Sequence, residues 1–222
     1  MKIAKSKWNT PDYSLALRAA IALGWAAVFM CGCGGGIPPT RYYTLKFPAL
    51  APAADSKTGL ILEIETFPAS ENLRDDRVLY YESPTRFGYY EYHRWSPDPA
   101  AVVAEMTKRR VQEMAVFAHV RSSPTHEPAD FLLRGRLLNF EELDYAPGGK
   151  VRVALELRLV RTDDHKTAWS DRREVERSID EKGVDGVVNA LSAATDQLLS
   201  QALPGLGAEV EREFKERAEK PK

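Results

Sequence analysis

Three features of the chain predict an α+β domain, a mostly antiparallel sheet with two helices packed on one face. Lys150 to Arg161 sets Val151, Val153, Leu155, Leu157 and Leu159 on one side against Arg152, Glu156 and Arg158 on the other, the pattern of a strand with one buried face. Asp98 to Phe117 and Val184 to Leu203 instead repeat apolar residues at helical spacing. Short turn-forming segments, Ser83-Pro84-Thr85 and Pro147-Gly148-Gly149, join neighbouring strands, so those strands run antiparallel rather than through long crossovers.

The chain opens on a leader. Lys2, Lys5, Lys7 and Arg18 precede an apolar run from Ala19 to Met30, about half the ~20 residues that a bilayer span needs, and the run ends in small residues. This layout predicts a secretory signal peptide over residues 1–32. Met30-Cys31-Gly32-Cys33 resembles the lipobox of bacterial lipoproteins, whose cysteine is alkylated by diacylglycerol, exposed by cleavage and acylated at its new amino terminus. The resemblance makes Cys33 the lipid-attachment residue, since Cys31 follows Met30, too large for the position before a cut. Two or three acyl chains, at about 0.8 kcal/mol per CH2, hold a protein on a membrane without a spanning helix. The alternative is an ordinary cleaved signal with incidental cysteines. A metal-binding Cys-x-Cys is a weaker reading, because the nearest downstream histidine is His93. Gly34 stands where many lipoproteins retained in the inner membrane carry aspartate, which points to the outer membrane.

Removing residues 1–32 takes four basic residues and Asp12 from the 31 and 32 charges of the full chain and leaves a formal charge of −4. Without a clustered basic excess, no nucleic-acid partner is expected. Residues 33–40, with Gly34-Gly35-Gly36 and Pro38-Pro39, read as a flexible tether. The remainder, 41–203, is long enough for one domain with a packed core, and it has no cysteine for a disulfide.

In chain order, Arg41 to Phe47 is aromatic and β-branched and predicts a first strand. Leu60 to Phe67 predicts a second, with Leu60, Leu62 and Ile64 on one face. Arg77 to Trp95 is the most aromatic stretch and predicts a hairpin, Val78 to Glu82 against Arg86 to Tyr92. Its rings either pack into the core or line an apolar surface for a lipid or a partner. Tyr80, Tyr81, Phe87, Tyr89, Tyr90 and Trp95 are the candidate partner contacts. Asp98 with Pro99 starts a helix to about Phe117, on which Arg110 falls within the apolar stripe of Val102, Val103, Met106, Met114 and Phe117. Arg110 there snorkels to the edge, pairs with a buried carboxylate or faces an anion, and it joins the candidate contacts. Strands follow at His119 to Ser122, Asp130 to Asp144, Lys150 to Arg161 and Lys166 to Ile179. The charges of the last read as a solvated edge. Val184 to Leu203 predicts the second helix, interrupted by Pro204-Gly205. Residues 204–222 read as a charged tail with too few apolar residues to dock firmly.

Arg41-Tyr42-Tyr43-Thr44-Leu45 after a lipidated cysteine, Arg77-Val78-Leu79-Tyr80-Tyr81, and Tyr90-x-Tyr92-x-Arg94-Trp95 running into a Pro-led helix carry a resemblance. With Asp130-Phe131-x-Leu133, Phe140 and Val187-Val188-x-Ala190, they are similar in order and spacing to the ABC-type transport auxiliary lipoprotein family, over residues 33–203. The resemblance implies a periplasmic domain anchored in the outer membrane. It also implies work beside an MCE-domain protein, a permease and an ATPase that move lipids between membranes, with no catalytic residues.

A search for enzyme chemistry agrees with that expectation. His93, His119, His126 and His165 are scattered, and zinc-protease, nucleophile-elbow and phosphate-loop motifs are absent from the sequence, so no catalytic residue, cofactor or metal is expected. Glu141 and Glu142 are a carboxylate pair without assignable acid and base roles. The leading reading is a non-enzymatic docking subunit with a solid core and no lipid-sized tunnel. The alternatives are a lipid-anchored periplasmic enzyme and a lipoprotein of the lipopolysaccharide-assembly type.

Overall fold

The sheet is assembled on β6 (Phe131–Leu143), both of whose edges are paired. The computed structural model describes residues 37–46, 56–125 and 127–219; the expected leader, Cys33 and the C-terminal end of the expected first strand lie outside them. Along one edge β6 runs antiparallel to β7 (Lys150–Arg161), from Phe131↔Arg161 to Leu143↔Lys150, and β7 pairs antiparallel with β8 (Thr167–Ser178). The other edge is divided. Leu62 to Ile64 of β2 (Ile61–Ile64) lie parallel to Phe131 to Leu133, while Tyr80 and Tyr81 of β3 (Arg77–Ser83) lie parallel to Glu142 and Leu143. Strand β5 (His119–Ser122) extends the first branch in parallel with β2. The second branch continues through β4 (Arg86–Trp95), antiparallel to β3, to β1 (Arg41–Tyr43), parallel to β4.

The result is an eight-stranded α+β sheet whose long pairings are antiparallel and whose parallel pairings are only two to four residues each. Antiparallel neighbours are therefore found where turns are short, at β3–β4, β6–β7 and β7–β8. The parallel pairings, β1 with β4, β2 with β5 and β6, and β3 with β6, join elements far apart in sequence, which leaves chain enough for the crossover a parallel pair needs.

The inward face read in β7 is buried throughout, and Ala154 and Val160 on the other face are covered as well. Val151, Val153, Leu155, Leu157 and Leu159 are buried, and their β6 partners include Phe140, Leu137 and Leu133. A bulge at Leu138 keeps the two strands in phase, since one extra residue restores the apolar side of β6 to the same face. On the edge strand β8 only Val175 is fully buried; Arg172, Glu174 and Glu176 face solvent, an arrangement that discourages edge-to-edge pairing.

Helix α1 (Pro99–Glu113) begins as its sequence predicts, with the Asp98 carboxylate accepting from the backbone N–H groups of Ala100 (2.8 Å) and Ala101 (3.3 Å). It buries Val102, Val103, Met106, Thr107 and Val111 and stops short of Phe117, because Ala115 takes a left-handed φ of 51°. Helix α2 (Gly183–Glu219) is one continuous helix of 37 residues, which corrects the expected interruption at Pro204. Pro204 and Gly205 sit on the exposed side, where the backbone groups that a proline leaves unbonded are open to solvent, while Leu203, Leu206, Gly207, Val210 and Glu213 continue the buried stripe. Gly207 permits the close approach: a Cβ there would stand 2.5 Å from Met114 Cε of the segment after α1. The expected free tail is thus docked as far as Glu213, with Lys57 Nζ reaching Glu211 (2.7 Å) and Arg161 reaching Glu213 (2.8 Å).

Candidate functional site

The aromatic hairpin presents two different sides. Register pairs Tyr81 with Phe87 and Leu79 with Tyr89, and these rings lie on the side of the sheet away from the helices. There Tyr89 donates to the Asn72 carbonyl (2.9 Å) and lies under the Arg77 guanidinium (4.8 Å to the ring centre). Arg77 in turn grips Asp75 with two bonds of 2.9 and 2.7 Å, which holds that carboxyl down to about 2. On the helix side Tyr80 crosses Gly88, where a Cβ would come within 2.6 Å of the Tyr80 hydroxyl, and packs on Tyr90 (4.8 Å). Tyr90 also meets His93 edge-on, and His93 stacks on Tyr43 and shares a 2.9 Å hydrogen bond with its hydroxyl. Three strands, β1, β3 and β4, are needed to bring these rings together.

Of the candidate contacts, Phe87 is well exposed at 46%, and Tyr80, Tyr81, Tyr89 and Tyr90 are partly buried. Trp95 is only 5% exposed and packs on Phe140 at 5.3 Å, so it is a core residue and is withdrawn as a surface contact. Arg110 does not face an external anion. Its guanidinium binds Asp196 of α2 (Nε to Oδ1, 3.0 Å) and Glu113 (2.8 Å), so it clasps the two helices beside a cleft of about 220 Å³ lined by Met114, Leu199 and Leu203. Sequence reasoning allowed a pair with a carboxylate but had no signal for which one, since Asp196 is 86 residues away.

Glu141 and Glu142 are separated by the pleat of β6 and cannot act as a catalytic pair. Glu141, fully buried, is held by Arg152 (2.7 Å), Asn139 (2.9 Å) and the Phe140 N–H (2.7 Å); burial pushes its carboxyl up despite those partners. Glu142 points to the helix side, accepts from the Tyr90 hydroxyl (2.7 Å), and is also raised by burial. The same burial and the carboxylate beside it raise Tyr90. Neither pair was legible as a contact in the sequence, because each depends on cross-strand register. A second groove, about 350 Å³, lies beside α1 and the end of β2 and is lined by Ile64, Phe67, Ala101, Ala104 and Ser122. Among the described residues no cluster of three or more His, Cys, Asp or Glu is placed to hold a metal, and no helix is long and apolar enough to cross a membrane.

A crystal structure of a Xanthomonas campestris protein superposes with a TM-score of 0.68 at 15% identity, covering 79% of this chain and 99% of that one. A second solved structure, of an uncharacterized protein, gives 0.59 at 16% identity, with the same coverage of 79% and 99%. At such identities both are likenesses of fold. No curated protein sequence matches the chain. The family model described as ABC-type transport auxiliary lipoprotein component matches residues 43–202, from β1 to the middle of α2. That span contains every strand but the first two residues of β1, and on it rests the assignment: the chain belongs to the ABC-type transport auxiliary lipoprotein family.

Proposed function

We propose that this protein is held by acyl chains on Cys33 at the periplasmic face of the outer membrane and acts there, without catalysis, as a docking subunit of an ABC-type system for lipid transport between membranes. Its partner in this reading is an MCE-domain protein, served by a permease and an ATPase. Family membership across residues 43–202 is the observation that carries the reading. The packing favours docking over carriage: Phe131, Phe140, Leu62, Leu133 and Leu137, each under 2% exposed, occupy the space in which an acyl chain would have to lie. The half-buried rings of Tyr80 and Tyr90, with Tyr43 beside them, offer the partner a surface whose apolar bodies are fixed, the Tyr90 and Tyr43 hydroxyls being held by Glu142 and His93.

Purification of the full-length lipidated protein from its native envelope tests both halves of the proposal. An MCE-domain protein is expected to co-purify, and Tyr80→Ala with Tyr90→Ala to reduce its recovery. Mass spectrometry of the purified protein is expected to find lipid only as the acyl groups on Cys33. Stoichiometric free phospholipid in the domain overturns docking in favour of a carrier, and fractionation with inner-membrane markers overturns the location.

A further inference from the structure

We infer that the end of the sheet formed by the β3–β4 turn and the β6–β7 turn lies in the headgroup layer of the membrane that holds the acyl anchor, with Phe87 and Tyr145 as its inserted residues. This inference rests on the anchor at Cys33 proposed above.

The two turns are neighbours by register. Tyr81 pairs with Phe87 across the hairpin and with Leu143 of β6, and the Asp144 N–H donates to the Tyr81 carbonyl at 3.0 Å. Phe87 and Tyr145 are 46% and 43% exposed, high values for large rings on a folded domain, and they share this one end. Backbone bonds from Ala146 to Leu143 (3.1 Å) and from Gly149 to Ala146 (2.8 Å) fix the turn that presents Tyr145, so little ordering is required on contact. A phenyl ring and a tyrosine at one edge suit a lipid interface, where an apolar ring meets acyl carbon and a hydroxyl meets headgroups. Arg86 pairs with Glu82 and Lys150 with Glu176, while Asp144 beside Tyr145 presents an exposed carboxylate, so contact does not depend on attraction to anionic lipid.

The route of the chain selects this end. β4 runs away from the turn and β1 lies parallel to it with Arg41 level with His93, so the chain enters β1 at its end nearer the turns. From that level to Phe87 is about 20 Å along the strand. The eight steps from Cys33 to Arg41 reach up to about 28 Å, enough to pass the turns and meet a membrane beyond them. The opposite end is about 40 Å away along β7 and carries exposed Asp163, Asp164, His165 and Lys166.

The experiment uses the full-length chain, processed in cells and reconstituted in vesicles of phosphatidylethanolamine and phosphatidylglycerol. A nitroxide is attached in turn at Phe87→Cys, Tyr145→Cys and Lys166→Cys, and circular dichroism checks that each variant is folded. The first two labels are expected to collide several-fold more with lipid-dissolved oxygen than with an aqueous nickel chelate, the third the reverse, with no change on adding salt. Labels at 87 and 145 that remain as water-exposed as the one at 166 overturn the inference while leaving the anchor intact. The mass of the amino-terminal peptide reports the anchor separately: an unacylated Cys33 overturns the anchor and this orientation together.

Discussion

Replacing Leu206 by alanine separates a docked α2 from a helix that ends at Pro204. Leu206 is 0% exposed, two residues beyond the proline, and its neighbours on the same stripe, Leu203 and Val210, are 3% and 0% exposed. Leu→Ala at a fully buried site loses the transfer energy of the removed carbons and leaves a cavity, together about 3 kcal/mol. For a domain of this size each kcal/mol moves the melting temperature by about 2–4 °C, so a fall of about 6–12 °C is expected. Were residues 204–219 an undocked charged tail, the same change would stay within about 0.5 kcal/mol, because alanine is the better helix former on an exposed surface. Urea titration followed by circular dichroism on the full-length protein measures the difference, with Lys215→Ala on the exposed side as a control expected within the same narrow range. A loss below about 1 kcal/mol for Leu206→Ala refutes the docking. A double-mutant cycle on Arg161 and Glu213, whose side chains are 25% and 6% exposed, is expected to return about 1 kcal/mol of coupling.

Asp98→Ala removes the carboxylate that accepts two N–H groups of α1 and is expected to lower stability by about 1 kcal/mol in urea unfolding, with Asp98→Asn nearly neutral. Glu142 carries a folded-state pKa raised above its ordinary 4.5 by burial, so the native state holds its proton more tightly than the unfolded chain. Its contribution to stability is therefore full below 4.5 and falls as pH rises through the folded value. Glu142→Gln, which keeps an acceptor for Tyr90, is expected to be more stable than the parent at about pH 7.5 and no more stable at about pH 4; equal stability at both refutes the assignment. Cys33→Ser is expected to abolish acyl labelling and leave unprocessed or soluble protein, and normal membrane recovery with label removes Cys33 as the attachment site.

What the sequence revealed was whatever is written locally. Period-two alternation located β7 to the residue, Asp98-Pro99 located the start of α1, and Ser83-Pro84-Thr85 located the hairpin turn, because each is decided within a few neighbours. Parallel pairings of β1 and β2 were invisible, since a three- or four-residue strand carries no record of a partner 50 or more residues away. Trp95 read as a surface candidate because aromatic content alone does not say which side of a strand is covered. Pro204 read as a stop because a proline usually ends a helix, yet its ring points to solvent here and Leu206 and Val210 hold the next turns in place. Arg110 was correctly singled out as out of place on an apolar face. Its partner Asp196 could be named only once the two helices were set side by side.

The division of one edge of β6 between two short branches also sets an order of events during synthesis and export. Strands β6, β7 and β8 with α2 are contiguous from residue 131 onward and satisfy one another through near neighbours. The earlier part of the chain, by contrast, holds two branches that reach each other only through β6: β2 waits about 70 residues for Phe131, and β3 about 60 for Glu142. A chain delivered amino terminus first therefore exposes β2 to β5 with unpaired edges until residue 143 has emerged. The edge of β2 that faces β6 is the longest-lived of those exposed edges. In pulse-labelled hydrogen exchange, amides of β6 and β7 are expected to gain protection before those of β2 and β5, which makes the carboxyl-terminal half the template on which the first half closes.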